Sequence, residues 1–118
     1  MIYALLTGLP NVAPRALREM LQKSNVHVFD MNAPQRFRDA HVPGARNLDP
    51  QTFAADQLPT DKDATLVFYC SNPLCRKAPV AAQRARRMGY ANASVMSAGI
   101  AGWLAAGLPT ERGAAGGV

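Results

Sequence analysis

The run Thr65-Leu66-Val67-Phe68-Tyr69 is apolar, aromatic and β-branched, and it stops at Cys70. After the loop Ser71-Asn72-Pro73-Leu74-Cys75-Arg76 the pattern turns helical from Lys77 to Met88. A buried strand that hands over to a helix through so short a loop needs a second strand beside it. The economical solution is a parallel sheet with crossover helices. The same junction has chemistry. The first N–H groups of a helix lack intrahelical partners, and the dipole adds partial positive charge there. Together they favour an anion, and a thiolate or persulfide is one. Arg76 adds a permanent cation. Cys70 is therefore the candidate nucleophile, with a lowered thiol pKa and an anionic substrate beside it.

The rest of the chain fits that frame. Pro14 suits the first position of a helix, although Ala13 before it is a poor cap; Ala16, Leu17, Met20 and Leu21 have helical spacing, and Ser24-Asn25 closes the run. Val26 to Phe29 predicts a strand ending at Asp30, and Pro34 to Ala40 a brief helix with Phe37 as its inward anchor. Ala45 to Leu48 reads as extended and Gln51 to Gln57 as a helical turn. In the helix from Lys77, residues Val80, Ala81, Ala85 and Met88 offer an apolar stripe, and Gly89 can take the left-handed conformation that ends helices. Ala93 to Met96 predicts a strand. Ile100 to Ala106 predicts a last helix, with Trp103 as a core anchor, stopped by Gly107 and Pro109. The expected architecture is α/β: an open, mainly parallel sheet with helices on both faces. Ligands bind such sheets beyond the carboxyl ends of the strands, where Asp30 and Cys70 both fall.

With 118 residues the chain suits one domain, with a core at about 12–109 and a mobile tail at 110–118. No apolar run is long enough for a membrane span. Met1 to Gly8 is mildly apolar, lacks the features of a signal peptide, and reads as an N-terminal strand or docked extension. The default compartment is then the reducing cytoplasm, where the two cysteines are expected as free thiols rather than a structural disulfide. The net charge of +5 is localised. Arg76, Lys77, Arg84, Arg86 and Arg87 lie between Cys70 and Tyr90 with no acid among them, and the remaining eight basic and eight acidic residues balance. Arg84, Arg86 and Arg87 read as a solvated helix face. Arg76 and Lys77 occupy the first turn, where the dipole disfavours cations, which points to a functional role.

Four segments together resemble a single-domain rhodanese, a sulfurtransferase family. They are Val26-His27-Val28-Phe29-Asp30; His41-Val42-Pro43-Gly44-Ala45 with Asn47; the Tyr69-Cys70 loop with Arg76 and the helix through Met88-Gly89-Tyr90; and Ala98-Gly99-Ile100-Ala101-Gly102-Trp103 with Ala106-Gly107-Leu108-Pro109. The resemblance implies a five-stranded sheet, a persulfide on Cys70 and loop amides that hold it. It makes Ser71, Asn72, Leu74, Cys75, Arg76 and Lys77 substrate-binding, with Asp30 and His41 in support. Arg36, in the stretch after Asp30, is a supporting candidate on one wall of the pocket, with a solvent-facing position the favoured alternative. The implied reaction is ping-pong: Cys70 thiolate attacks the outer sulfur of thiosulfate or a related donor, sulfite leaves, and a thiophilic acceptor takes the sulfane sulfur. The implied partners are a small anionic sulfur donor and a cyanide, thiol or protein sulfur-carrier acceptor. His41 is expected to brace its loop, and Asp30 to accept hydrogen bonds rather than move protons.

Two features depart from the usual sulfurtransferase loop. Five residues separate Cys70 from Arg76, a spacing shared with Cdc25-like phosphatases and arsenate reductases. A wider ring of amides suits a tetrahedral oxyanion. Against that, Pro73 has no N–H to give, and no acid lies within the loop to protonate a leaving alcohol. Sulfur transfer is the leading reading; a phosphatase or reductase and a noncatalytic binding module are the alternatives. The second departure is Cys75, either a small residue packed behind the loop or a resolving thiol for Cys70. With two histidines and no Cys-x-x-Cys pair, neither a metal site nor a cofactor is expected. The basic stretch lacks the aromatic interleaving of an RNA-binding motif, so nucleic acid is not an expected partner, and neither is a membrane.

Overall fold

A computed structural model of the protein describes residues 8–114. The expected N-terminal strand or extension falls on residues 1–7, outside the described residues. In chain order the elements are α1 (Pro14–Met20), β1 (Val26–Asp30), α2 (Pro34–Asp39), β2 (Arg46–Asn47), a 3-10 turn (Ala55–Gln57), β3 (Thr65–Tyr69), α3 (Lys77–Arg87), β4 (Ala93–Val95) and α4 (Gly99–Ala105). Prolines open α1 and α2, where a missing N–H costs nothing. Gly89, at φ +105°, ends α3 as its sequence position suggests. The helical turn expected from Gln51 shrinks to Ala55–Gln57.

The sheet is parallel throughout, in the order β2-β1-β3-β4. It has four strands among the described residues, against the five implied by the resemblance. Beside β4, Asn11 makes a single parallel bridge to Val95. The Val12 N–H donates to the Val95 carbonyl at 2.8 Å, and the Val95 N–H to that of Pro10 at 3.0 Å. The ladder stays this short for a local reason: Pro10 has no N–H to extend it, and Pro14 already starts a helix.

Alternation along β3 builds the two halves of the core. Leu66 and Phe68 pack on one face with Phe29, Phe53, Tyr90 and the α3 alanines. Val67 and Tyr69 pack on the other with Leu17 of α1, Phe37 of α2 and Trp103 of α4. Each large apolar side chain so buried contributes about 1.5–3 kcal/mol. The stripe of α3 differs from the expected one: Ala78, Ala81, Ala82 and Ala85 are buried, whereas Val80 is 49% exposed. Alanines let the helix lie close to the sheet, and the helical repeat then turns Val80 outward.

The tail expected to be loose after Pro109 is tied through Gly113. His41 and Glu111 exchange backbone hydrogen bonds at 2.9 Å, and the Gly113 N–H donates to the Arg38 carbonyl at 2.9 Å. Glu111 Oε1 accepts from the Gly44 N–H at 3.1 Å. The turn after His41 thus holds this segment by pairings too distant in sequence for composition to reveal. None of the helices is long and apolar enough to cross a membrane among the described residues.

Candidate functional site

Consecutive residues at the end of β3 go to opposite faces of the sheet. Tyr69 enters the α1/α4 side, where its hydroxyl donates to Asp30 Oδ2 at 2.6 Å and accepts from the Val42 N–H at 3.0 Å. Asp30 Oδ1 accepts from the Asn32 N–H at 2.7 Å. Asp30 is wholly buried. Burial pushes its carboxyl above the ordinary 3.8, against the opposing pull of the hydrogen bonds from Tyr69 and Asn32. Burial, and then the neighbouring Asp30 charge, push the Tyr69 phenol far above its ordinary 10.0. Asn47 Nδ2 donates to the carbonyls of Asp30 and Asn32, each at 2.9 Å. This is a closed network: every oxygen of the Asp30 side chain has a donor.

Cys70 enters the α3 side and joins the core there. The loop that follows is held from behind by the start of α4. The Ile100 N–H donates to the Cys70 carbonyl at 2.9 Å and the Ala101 N–H to the Ser71 carbonyl at 3.0 Å. Gly99 makes this approach feasible. Its φ is +68°, and a Cβ there would lie 2.6 Å from the Ser71 carbonyl carbon and oxygen and 2.7 Å from the Asn72 nitrogen. At the front, Ser71 Oγ donates to Asn32 Oδ1 at 2.6 Å, so Asn32 joins the loop to the Asp30 network.

The loop curls on itself. Asn72 accepts from the Leu74 N–H through Oδ1 at 2.9 Å and from the Cys75 N–H through its carbonyl at 3.1 Å. The curl brings Cys75 back over Cys70, and the two sulfurs are joined in a disulfide with a Cα–Cα distance of 6.4 Å, inside the bridgeable range. The expectation of free thiols is therefore corrected. An Asx-type turn at Asn72 folds a short segment so that its two cysteines meet. In this oxidised form Cys70 is 3% exposed, while Cys75 is half-buried. The cavity that Cys70 and Cys75 share with Ala78, Pro79 and Met96 measures about 20 Å³, room for a water and not for a sulfur oxyanion.

The first backbone hydrogen bond of α3 runs from the Val80 N–H to the Arg76 carbonyl at 3.2 Å, and Pro79 has no N–H. The amides of Arg76, Lys77 and Ala78 meet no acceptor among the described residues. Arg76, Lys77 and Leu74 are exposed, Leu74 to 90%. Neither cation has an ion-pair or side-chain hydrogen-bond partner among the described residues. Lys77 also lines a groove of about 410 Å³, with Met31, Asn32, Pro34 and Asn47. Cys70, Ser71, Asn72, Cys75, Arg76 and Lys77 are thus gathered at one strand-to-helix junction, with Asp30 behind it. His41 and Arg36 stand apart. His41 is buried and stacks on Phe37 at 3.8 Å; its Nδ1 lies 2.7 Å from the Phe37 carbonyl and its Nε2 3.7 Å from Glu111. Arg36 is exposed and makes no side-chain contact with the loop.

Of the expected solvated helix face, Arg86 and Arg87 are exposed and Arg84 is half-buried. Arg84 donates to the carbonyls of Pro50 and Phe53, at 3.4 and 3.1 Å, and lies 4.3 Å over the Phe53 ring. Arg86 donates to the Gly8 carbonyl. These cations tie loops to α3. Sequence reasoning missed Asn32, Asn47 and Tyr69 as site residues, and the backing role of Gly99. Asn47 and Gly99 lay within segments singled out by the resemblance; nothing marked Asn32.

The model of the Rhodanese-like domain family matches residues 13–106 of the chain. A thiosulfate sulfurtransferase, GlpE, of Actinobacillus succinogenes is 29% identical over 100 residues, covering 85% of this chain and 88% of the relative. The uncharacterized protein slr1261 of Synechocystis sp. is 29% identical over 101 residues, and the match spans 86% of this chain but only 55% of that protein. Among solved structures, a thiosulfate sulfurtransferase from Pseudomonas aeruginosa superposes with a TM-score of 0.78 at 26% identity, over 89% of this chain and 20% of that one.

Proposed function

The chain belongs to the Rhodanese-like domain family, and on that premise we propose that it is a sulfurtransferase working through a persulfide on Cys70. The observation that carries this reading is the position of Cys70, at the carboxyl end of β3 against the open first turn of α3. Three amides and the cations Arg76 and Lys77, all without partners among the described residues, gather there. Those groups stabilise the thiolate that attacks the donor, and afterwards the charge on the persulfide. Arg76, with its planar fork, suits the oxygens of thiosulfate. Cyanide or a thiol, small or carried on a protein, accepts the sulfur. The cycle requires Cys70 as thiolate, so the disulfide form is a resting or oxidised state, and the cytoplasm is the compartment we assign.

The arrangement weighs against a phosphatase. Asp30 is buried with both carboxyl oxygens engaged, which removes it as a general acid. Asp39 accepts from Gln35 at 3.1 Å on an exposed helix face.

The test is steady-state turnover of reduced protein with thiosulfate and cyanide. Thiocyanate formation that disappears in Cys70→Ser is the expected result, and a brief iodoacetamide pulse should label Cys70 only after reduction. Phosphate release from an aryl phosphate, blocked by vanadate and without thiocyanate formation, would transfer the assignment to the phosphatase reading. A protein inert in both assays is a binding module.

A further inference from the structure

Cys75 sits five positions from Cys70 in the same loop, and its sulfur is already bonded to that of Cys70. We propose that Cys75 is a built-in resolving thiol that discharges the Cys70 persulfide as hydrosulfide, so that the protein releases sulfide from its donor and is reset by a dithiol. The inference rests on the persulfide reading above and names the acceptor chemistry of that site.

The geometry favours this over simple packing. A residue that only filled space behind the loop would sit under it, whereas Cys75 is half-buried and Cys70 lies beneath. The Asn72 turn holds the Cys75 amide at 3.1 Å, which directs Cys75 back toward the strand end. In the bridged loop the Cα atoms lie 6.4 Å apart, inside the range a disulfide spans.

The balance closes in three steps. Cys70 thiolate attacks the outer sulfur of thiosulfate; the S–S bond of the donor breaks and sulfite leaves with its electron pair. Cys75 thiolate then attacks Sγ of Cys70. The bond between Sγ and the sulfane sulfur breaks, and the sulfane sulfur takes the electron pair and a proton to leave as hydrosulfide. Two thiolates have been oxidised to the disulfide and the sulfane sulfur reduced by the same two electrons. Finally an external dithiol attacks the more accessible Cys75 sulfur and expels Cys70 as thiolate. A thiolate stabilised by unpaired amides is the better leaving group of the two. The dithiol ends as its own disulfide, and Cys70 is again ready for a donor.

The experiment uses the full chain, reduced with a dithiol, freed of it and given thiosulfate without oxygen or acceptor. Wild type should release sulfide equimolar with sulfite and with protein, and its intact mass should fall by two hydrogens without gaining sulfur. Cys75→Ser should gain the mass of one sulfur and release sulfide only when a thiol is added; Cys75→Ala should behave the same, which guards against a folding defect in either. Wild type that retains a stable persulfide and yields no sulfide overturns the resolving role and leaves the persulfide reading standing. If the wild type releases no sulfite and the Cys75 variants gain no sulfur, the persulfide reading itself falls, and this inference with it.

Discussion

Tyr69 and Cys70 are neighbours in the chain, yet they belong to two regions of opposite character. On the α1/α4 side of the sheet, the Tyr69 hydroxyl, the Asp30 carboxylate, the Val42 and Asn32 amides and the Asn47 amide group saturate one another. On the α3 side, amides and cations at the strand end are left without partners among the described residues. Buried polar groups are costly unless satisfied, so the first region is built for rigidity. The second leaves hydrogen-bonding capacity unused among the described residues. The closed region also positions the open one, because Ser71 Oγ binds Asn32 Oδ1 and Asn32 binds Asp30. A reactive loop is placed accurately when the layer behind it has no freedom of its own.

If that division holds, substitutions on the two sides should separate activity from stability. The largest effect is expected for Cys70→Ser, which should lower thiosulfate:cyanide turnover of the reduced protein by more than about 10⁴-fold while its melting temperature stays near that of reduced wild type. Gly99→Ala comes next. The new Cβ would collide with the Ser71 carbonyl, and φ at +68° is unfavourable for alanine, so the loop must shift. A displacement of that kind costs about 10²-fold in kcat/KM, read in the same assay. Normal turnover in Gly99→Ala would mean the loop needs no rigid backing. Tyr69→Phe should do the reverse. It leaves Asp30 Oδ2 and the Val42 N–H without partners and should cost about 1–3 kcal/mol in urea unfolding, with turnover per folded molecule close to wild type. Turnover lost to the extent of Cys70→Ser would break the separation.

The two regions were not equally legible in the amino-acid sequence. The Cys70 junction declared itself through local signals: a β-branched apolar run, a short loop and cations in a first helical turn. Asp30 stood out as the last residue of a strand. The partners that close the network did not. Ser71 reaches Asn32 across 39 positions and Tyr69 reaches Asp30 across the same separation, and only the parallel register of β1 with β3 brings them together. The outward turn of Val80 was hidden because alanines carry little hydrophobic signal, and the anchoring of Arg84 because its carbonyl acceptors lie in irregular chain. Loop redox chemistry was visible as a spacing of two cysteines, but whether their sulfurs meet depends on the turn at Asn72. Short-range patterns thus pointed to the Cys70 junction as the candidate site; long-range pairings, which residue types do not encode, determine how its loop is held.

The smallest expected effect tests the closed region through protons. Burial raises the Asp30 pKa above 3.8 despite its hydrogen bonds and the nearby His41. The folded protein therefore holds this proton more tightly than the unfolded chain. That contribution to stability is fully present below the unfolded value and is lost as pH rises through the folded value. Asp30→Asn has no such titration. It keeps one carbonyl acceptor but turns an NH₂ toward either Tyr69 or the Asn32 amide, so it should be less stable than wild type throughout. The gap between the two should narrow as pH rises above the unfolded value of 3.8 and through the raised folded value. Urea unfolding of both proteins across that range measures it. A gap that widened with pH would show that the Tyr69 and Asn32 donors stabilise the ionised carboxylate by more than burial opposes it. The closed region would then be organised around a buried charge rather than around its partners' mutual saturation.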